Sequence, residues 1–272
     1  MSAPATKAVI LARGLGSRMR RDDGAVALDA AQAAAAAAGL KSLMPLGGRP
    51  FVHYVLSALA DAGYRDVCLV IGPDRPAVRE HFARDVRPRR LRIAFAVQAQ
   101  ALGTADAVLA AEGFAGTDPF LVINSDNYYP VEAYRALREL GGAGIAAFWR
   151  EGLVTLGNLT RERVGRFPTV EAGPDGSLVR LVEAEERGSA APADALVSMN
   201  CWMLTPPIFA ACRAIEPAAS GELEIQAAVR HAQTRLGVRF QVVPFRAPVF
   251  DLTARTDVAY MTERLAGVRV EL

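Results

Sequence analysis

Gly14, Gly16, Ser17 and Arg18 follow directly on a short apolar run, Lys7 to Leu11, and that order is suited to holding phosphate. The run Ala8-Val9-Ile10-Leu11 predicts a buried strand. Behind it, Leu11-Ala12-Arg13-Gly14-Leu15-Gly16-Ser17-Arg18-Met19 must turn sharply. Glycine lets a backbone turn tightly and approach a ligand with no Cβ in the way. Successive N–H groups in such a turn form a concave anion site. Ser17 adds a hydroxyl donor, and Arg18 adds a forked cation matched to phosphate oxygens. The chemistry this points to is triphosphate binding behind the first strand of an α/β sheet. A Gly-x-Gly behind a strand also serves as a plain turn, so the loop alone leaves both readings open. It has neither the third glycine of the dinucleotide fingerprint nor the Gly-Lys-Ser/Thr of the P-loop.

The remaining elements must place that loop. The chain has 272 residues, 51% hydrophobic and 22% charged, which is ordinary globular composition. Its 31 basic and 29 acidic side chains leave a net charge of +2, so nothing argues for nucleic-acid binding. The basic cluster from Arg84 to Arg92 is broken by Pro88 and reads as a solvated turn before a strand. Three cysteines, Cys68, Cys201 and Cys212, are too few and too widely spaced for a disulfide framework or a zinc site. Cys68 and Cys201 read as small core residues. No long apolar segment opens the chain or spans a bilayer, so a cytoplasmic protein with no membrane partner is expected.

Along the chain, Met1 to Thr6 reads as a loose end. Asp29 to Ala38 is alanine-rich and predicts a helix stopped by Gly39. It has too few large apolar residues for a core helix, so a surface helix beside the site is expected. Lys41 to Pro50 is a Pro- and Gly-broken loop. Helices are predicted at 51–62, 75–83 and 101–112, with strands at 66–72, 91–97 and 120–124. This alternation predicts a mostly parallel sheet covered on both faces, with ligands beyond the carboxyl ends of the strands. The glycine loop, Gln98 and Asp126 all fall at such ends. The second half is strand-rich, at 144–149, 169–172, 178–183, 197–204 and 240–244, with a hairpin turn at Asp175-Gly176. Helices follow at 207–215, 222–236 and 256–267, the last with Thr256 as its N-cap. No linker divides the chain, so one domain is expected, with halves at about 1–140 and about 141–272.

Taken in order, these motifs resemble those of the sugar-1-phosphate nucleotidyltransferases. The family loop, close to Leu-Ala-x-Gly-x-Gly-Thr/Ser-Arg-Met/Leu, is matched by residues 11–19. Its Lys-x-Leu-x-Pro-x-x-Gly-x-Pro segment is matched by Lys41, Leu43, Pro45, Gly48 and Pro50. Gln98 and the run Leu102-Gly103-Thr104-Ala105-Asp106-Ala107 match its base-binding segment. Asp126 follows a buried strand, Asn200 follows Ser198-Met199, Gly221-Glu222-Leu223 forms a Gly-Glu-Leu motif, and Asp251 lies in Phe250-Asp251-Leu252-Thr253. The resemblance implies a Rossmann-like, GT-A-like fold: a mostly parallel mixed sheet flanked by helices, with a smaller strand-rich sugar-binding part. It implies attack by a sugar 1-phosphate on the α-phosphorus of an NTP, with loss of pyrophosphate. Arg18, Lys41 and Asp126 would be catalytic, and Asp126 and Asp251 would hold Mg²⁺. Leu11, Ala12, Arg13, Gly14, Gly16, Ser17, Gln98, Gly103 and Thr104 would bind the nucleotide. Asn127, Glu183, Asn200 and Glu222 would bind the sugar.

Plainer readings stand beside these. Asp126 could cap a helix before Tyr128, Asp251 could cap a turn, and Lys41 could be a solvated lysine. Gln98 could bond a loop backbone, and Asn200 a strand edge. The Glu183-Ala184-Glu185 run lacks the lysine of the family's Glu-Lys-Pro segment. The gap from Arg18 to Lys41 is long for the family, and the alanine-rich insert that fills it is expected to flank the triphosphate site. Arg13 stands where the family has a small residue, which adds a phosphate contact to its expected roles. His53, His81 and His231 read as structural. No acyltransferase-like repeat follows, so a bifunctional enzyme is not expected. The alternatives to a sugar-phosphate substrate are a cyclitol or other alcohol phosphate, or a catalytically silent nucleotide-binding regulator. The base, the sugar and any homo-oligomer are left open.

Overall fold

The strand predicted at Lys7–Leu11 (β1) forms the middle of a mixed sheet and is paired along its whole length on both edges. On one side run Asp66–Ile71 (β2) and Arg92–Val97 (β3); on the other runs Phe120–Asn124 (β4). All three pairings are parallel. Ala143–Trp149 (β5), Thr169–Ala172 (β6), Leu178–Val182 (β7), Leu196–Leu204 (β8) and Phe240–Phe245 (β9) complete the nine strands of this sheet among the described residues. The computed structural model describes residues 3–14, 16–21, 26–74, 76–187, 192 and 194–272. Leu15 of the glycine loop, Asp22 to Ala25 before the alanine-rich run, Met1 and Ser2 at the start, and Arg75, the expected first residue of a helix, lie outside them.

The spatial order β3-β2-β1-β4-β8-β5-β9 joins both halves of the sequence in one sheet. β8 enters antiparallel and pairs with β4, β5 and β6. Its register shifts between Ser198 and Trp202, where Asn200 takes a left-handed φ of 57°. The alternation seen in the sequence therefore predicts the parallel part, and the antiparallel insertion makes the sheet mixed.

Strand side chains alternate between two cores. Ala8, Ile10, Leu121 and Ile123 pack with the helices Phe51–Asp61, Val131–Glu139 and Thr256–Leu265. Val9, Phe120 and Val122 pack with Thr104–Ala110, Pro207–Ala214 and Ile225–Leu236. Helix Phe51–Asp61 is buried on almost every side, which its mostly apolar composition allows; its buried His53 and Ser57 are hydrogen-bonded, to His81 and to Glu271 N.

Several expectations need correction. Ala5 is buried and donates its N–H to Arg138 O at 3.2 Å, so the loose end stops before it. Helix Val131–Glu139 and the short helices Arg150–Thr155 and Arg161–Gly165 were not expected. Residues 101–103 form a loop, and so do 221–224, so the helices there begin at Thr104 and Ile225. The helix expected at 75–83 runs as Pro76–Glu80 and continues as a π-turn to Asp85. Thr256 is not a cap; the Asp257 carboxylate instead accepts from Thr253 N and Ala254 N. His53 and His81 are partners, with Nε2 atoms 2.7 Å apart. Burial, then His81 and Arg49, lower the His53 imidazole to about 4.

The alanine-rich insert is a helix, Ala30–Ala38, opened by a reciprocal Asp29–Gln32 capping box and closed by Gly39 at φ 67°. Gly39 presses on the glycine loop. A Cβ on Gly16, itself at φ +62°, would lie 2.6 Å from Gly39 O. Gly14 has nothing within 4 Å of its Cβ position and no left-handed φ. Gly16→Ala is therefore expected to lower the unfolding free energy by about 1–3 kcal/mol. Gly14→Ala should stay within about 0.5 kcal/mol of wild type. Urea midpoints of the two variants check this; equal losses would overturn it.

Candidate active site

Where the β1 ladder ends, a cavity of about 430 Å³ opens at the carboxyl ends of β1, β3 and β4. Its volume is in the range of small-molecule sites. One wall is the loop from Leu11 to Gly14 with Ser17; Gly39 to Ser42, at the end of the insert, form another. Gln98, Gly103 and Thr104 line one end, Asn124 to Asp126 the other, and Glu222 reaches in from the second half.

The Asp126 end carries charge. Lys41 Nζ lies 2.8 Å from Asp126 Oδ2, both side chains partly screened from solvent. Ser125 N donates to Leu11 O at 3.2 Å, so the sheet register itself sets Asp126 beside the glycine loop. Asp126 O then accepts from Leu252 N at 2.8 Å, and a two-residue ribbon pairs Asn127 with Asp251. This places the second acid behind the first. Asp251 is 6% exposed and does not line the cavity directly. Thr253 Oγ1 donates to it, and Arg163 forms an ion pair at 3.1 Å. Arg163 also pairs with Asp257 at 2.9 Å.

Burial, followed by the negative charge of Asp126, raises the Asp251 carboxyl from 3.8 to about 6. Two acids so placed fit a divalent cation, which takes carboxylate oxygens readily. The raised value shows that Arg163 does not fully offset the cost of the charge.

The opposite end is amide and apolar. Gln98 is buried, and its Nε2 donates to Gly103 O at 2.9 Å and to Asp106 Oδ2 at 2.8 Å. Gly103, at φ 113°, packs on the backbone of Leu223. Leu223 N donates to Leu102 O at 2.7 Å, Ala105 N to Leu223 O at 2.8 Å, and Ile225 N to Thr104 Oγ1 at 2.9 Å. These bonds fasten the Gln98–Thr104 segment to the loop that carries Glu222.

The other sequence candidates are placed as follows. Leu11, Ala12, Arg13, Gly14 and Ser17 line the cavity, and Gly16 lies buried against Gly39. Arg13 lines it with a guanidinium turned to carbonyls: Nε donates to Gln98 O at 2.8 Å and Nη2 to Ala99 O at 3.2 Å. Arg18 is exposed and lies outside the lining. Asn127 is buried, with Oδ1 taking Asn124 Nδ2 and Tyr129 OH. Asn200 Oδ1 takes Trp202 Nε1 and Gln226 Nε2. Glu183 follows β7 and, like Asn127, Asn200 and Asp251, is outside the lining. Asp106, Arg163 and Gln226 were not singled out from the sequence, because each acts on a site residue through a contact made only in the fold.

Comparison with known proteins agrees with this arrangement. Residues 36–243 match the nucleotidyl transferase family. The chain belongs to that family. It is similar to a glucose-1-phosphate thymidylyltransferase of Streptomyces antibioticus, 30% identical over 229 residues, covering 83% of this chain and 56% of that protein. It is also similar to a UTP–glucose-1-phosphate uridylyltransferase of Bacillus subtilis, 25% identical over 267 residues, covering 87% of this chain and 84% of that one. The chain thus spans about half the length of several curated relatives it matches. A solved UDP-glucose pyrophosphorylase complexed with UDP-glucose superposes with a TM-score of 0.73 at 18% identity. It covers 97% of this chain and all of that one, which establishes the shared GT-A-like fold. The family generally uses a divalent metal. Among the described residues no helix is long and apolar enough to cross a membrane.

The state of Asp251 has a measurable consequence. Its folded value, about 6, lies above its ordinary 3.8, so the fold disfavours the anion. Its contribution to stability is therefore most favourable at low pH and falls as pH rises through that interval. D251N should gain on wild type by about 1–3 kcal/mol between about pH 4.5 and 7.5, in metal-free buffer. Urea unfolding of both proteins across that range reads the difference; parallel curves would overturn it.

Proposed function

We propose that this chain transfers a nucleoside monophosphate from an NTP to a sugar 1-phosphate, releasing pyrophosphate and an NDP-sugar. The observation that carries the reading is the joining of a glycine loop, a lysine and Asp126 in one cavity at the carboxyl ends of parallel strands, with Asp251 paired to the next residue just behind the lining. An oxygen of the sugar phosphate attacks the α-phosphorus, and the bond from that phosphorus to the β-bridging oxygen breaks. No base is required, because the attacking phosphate is already an anion. Catalysis then rests on position and on charge.

The backbone of Ala12 to Gly14 and the hydroxyl of Ser17 cradle the phosphates. Lys41, held at the cavity by Asp126, meets the α-phosphate or the incoming sugar phosphate. Arg18, exposed beside the cavity, serves the β- and γ-phosphates once substrate extends toward it. Asp126 and Asp251 would hold Mg²⁺, whose charge would neutralise the phosphate oxygens. The Gln98–Thr104 end takes the base. Glu222, with Asn127, Glu183 and Asn200 farther out, reads the sugar. The reading divides the chain into a nucleotide half at about 1–140 and a sugar-phosphate half at about 141–272. An NTP-consuming enzyme of this kind belongs in the cytoplasm.

The test is pyrophosphate release with Mg²⁺ across UTP, dTTP, GTP, CTP and ATP, each against a panel of sugar 1-phosphates. Release that requires both substrates is expected. K41A should lower kcat/KM by about 10²–10³-fold, the usual loss for a charge-stabilising group, and D126A at least as much. Full activity of D126A would overturn the assignment, as would nucleotide binding with no acceptor used.

A further inference from the structure

Among the described residues the cavity lining has two side-chain amides, Gln98 and Asn124, and the orientation of Gln98 is imposed. Both hydrogens of Nε2 are committed, one to the carbonyl of Gly103 and one to the carboxylate of Asp106. Turning the amide over would set Oε1 against a carbonyl oxygen and a carboxylate oxygen, two acceptors facing an acceptor. Asp106 sits in the first turn of helix Thr104–Ala110, where a carboxylate is itself favoured. The polar group left to face the cavity is therefore Oε1, which can only accept.

This end of the cavity is not built for phosphate. Two nitrogens of the Arg13 guanidinium, Nε and Nη2, are given to the carbonyls of Gln98 and Ala99. Lys41 lies at the other end with Asp126. Val78, Ala101 and Ala107 supply apolar wall. An apolar slot with one oriented acceptor suits a flat heterocycle presenting a donor.

We propose that Asp106 is a specificity-determining positioning residue: by fixing the Gln98 amide, it restricts the enzyme to bases that present an imino N–H. This rests on the nucleotidyl-transfer reading above. Uracil and thymine carry such a donor at N3, and guanine carries one at N1. Cytosine N3 and adenine N1 are acceptors and would face Oε1 with no hydrogen between them. A site built to bond one polar edge rejects its mismatch strongly, because the buried partner is left unpaired.

The experiment compares wild type with D106N, which keeps the shape but can donate as well as accept. An asparagine at 106 can donate to a turned-over Gln98, which removes one of the two acceptors that fix the amide and leaves Gly103 O alone against the turned-over form. Wild type should use at least one of UTP, dTTP and GTP about 10²-fold better in kcat/KM than CTP or ATP. N3-methyl-UTP, which lacks the imino hydrogen, should be used about as poorly as CTP. D106N should compress the preference for the best NTP over CTP by about 10-fold or more. The change should fall in KM for the nucleotide, with KM for the sugar phosphate unmoved.

Calorimetric binding of UMP, GMP, CMP and AMP to both proteins reads the same preference without turnover. An unchanged base preference in D106N would overturn the proposal, and so would an equal loss for every base. Wild type that prefers CTP or ATP would overturn it while leaving the transfer reaction standing. Nucleotide binding with the predicted preference but no transfer would instead remove the reaction and keep the role of Asp106.

Discussion

The position of the site depends on the register between β1 and β4. β1 is paired on both edges and buried on both faces, so it has no freedom to slide. Leu11 stands opposite Asn124, and Ser125 N still bonds Leu11 O. The glycine loop and Asp126 therefore leave the sheet side by side. A slip of one residue would move every side chain of the strand to the opposite face, exchanging Ile10 and Val9 between the two cores. Core packing thus fixes where the chemistry sits.

Beyond the sheet, acids with different tasks are separated by their surroundings. Asp257 is satisfied: one oxygen meets Arg163 and Asn158, the other takes two backbone N–H groups at the start of the last helix. It anchors structure. Asp251 shares the same arginine but is more deeply exposed to a like charge, from Asp126. Its carboxyl stays high despite the ion pair. A fold keeps such a residue at some cost in stability, and strongly perturbed groups of this kind gather where function requires them.

How much of this could be read beforehand follows from the distance between cause and effect along the chain. β1 to β4 announced themselves through local apolar runs, and the insert helix through alanine and Gly39. The helices at 131–139, 150–155 and 161–165 did not. The last two are short, and the packing that keeps them helical comes from distant segments. The final helix was expected to be capped by Thr256, but it has no side-chain cap; the Asp257 carboxylate instead ties down the loop before it at Thr253 N and Ala254 N. His53 and His81 looked unrelated because they are 28 residues apart. Arg163 reaches an acid more than eighty residues away, with no spacing to reveal it. Arg13 lines the cavity, but the bonds from its Nε and Nη2 to the carbonyls of Gln98 and Ala99 could not be read from spacing, because they span more than eighty residues.

Gln98 and Asn200 show why a structural and a functional reading of one residue need not compete. From sequence, each could simply satisfy backbone. Gln98 does so, through Gly103 O, yet the same bond and its companion to Asp106 leave only an acceptor to face the cavity. Asn200 is held the opposite way: its Oδ1 receives Trp202 Nε1 at 3.3 Å and Gln226 Nε2 at 3.1 Å, so Nδ2 is the half that remains to bond elsewhere. Its left-handed φ of 57°, which asparagine tolerates better than most residues, falls at the break in β8. An amide can turn over at little cost in water, and its two ends carry opposite hydrogen-bonding sense. Tying one end removes that ambiguity. The structural bond is therefore the means by which each amide acquires a defined polarity at its other end.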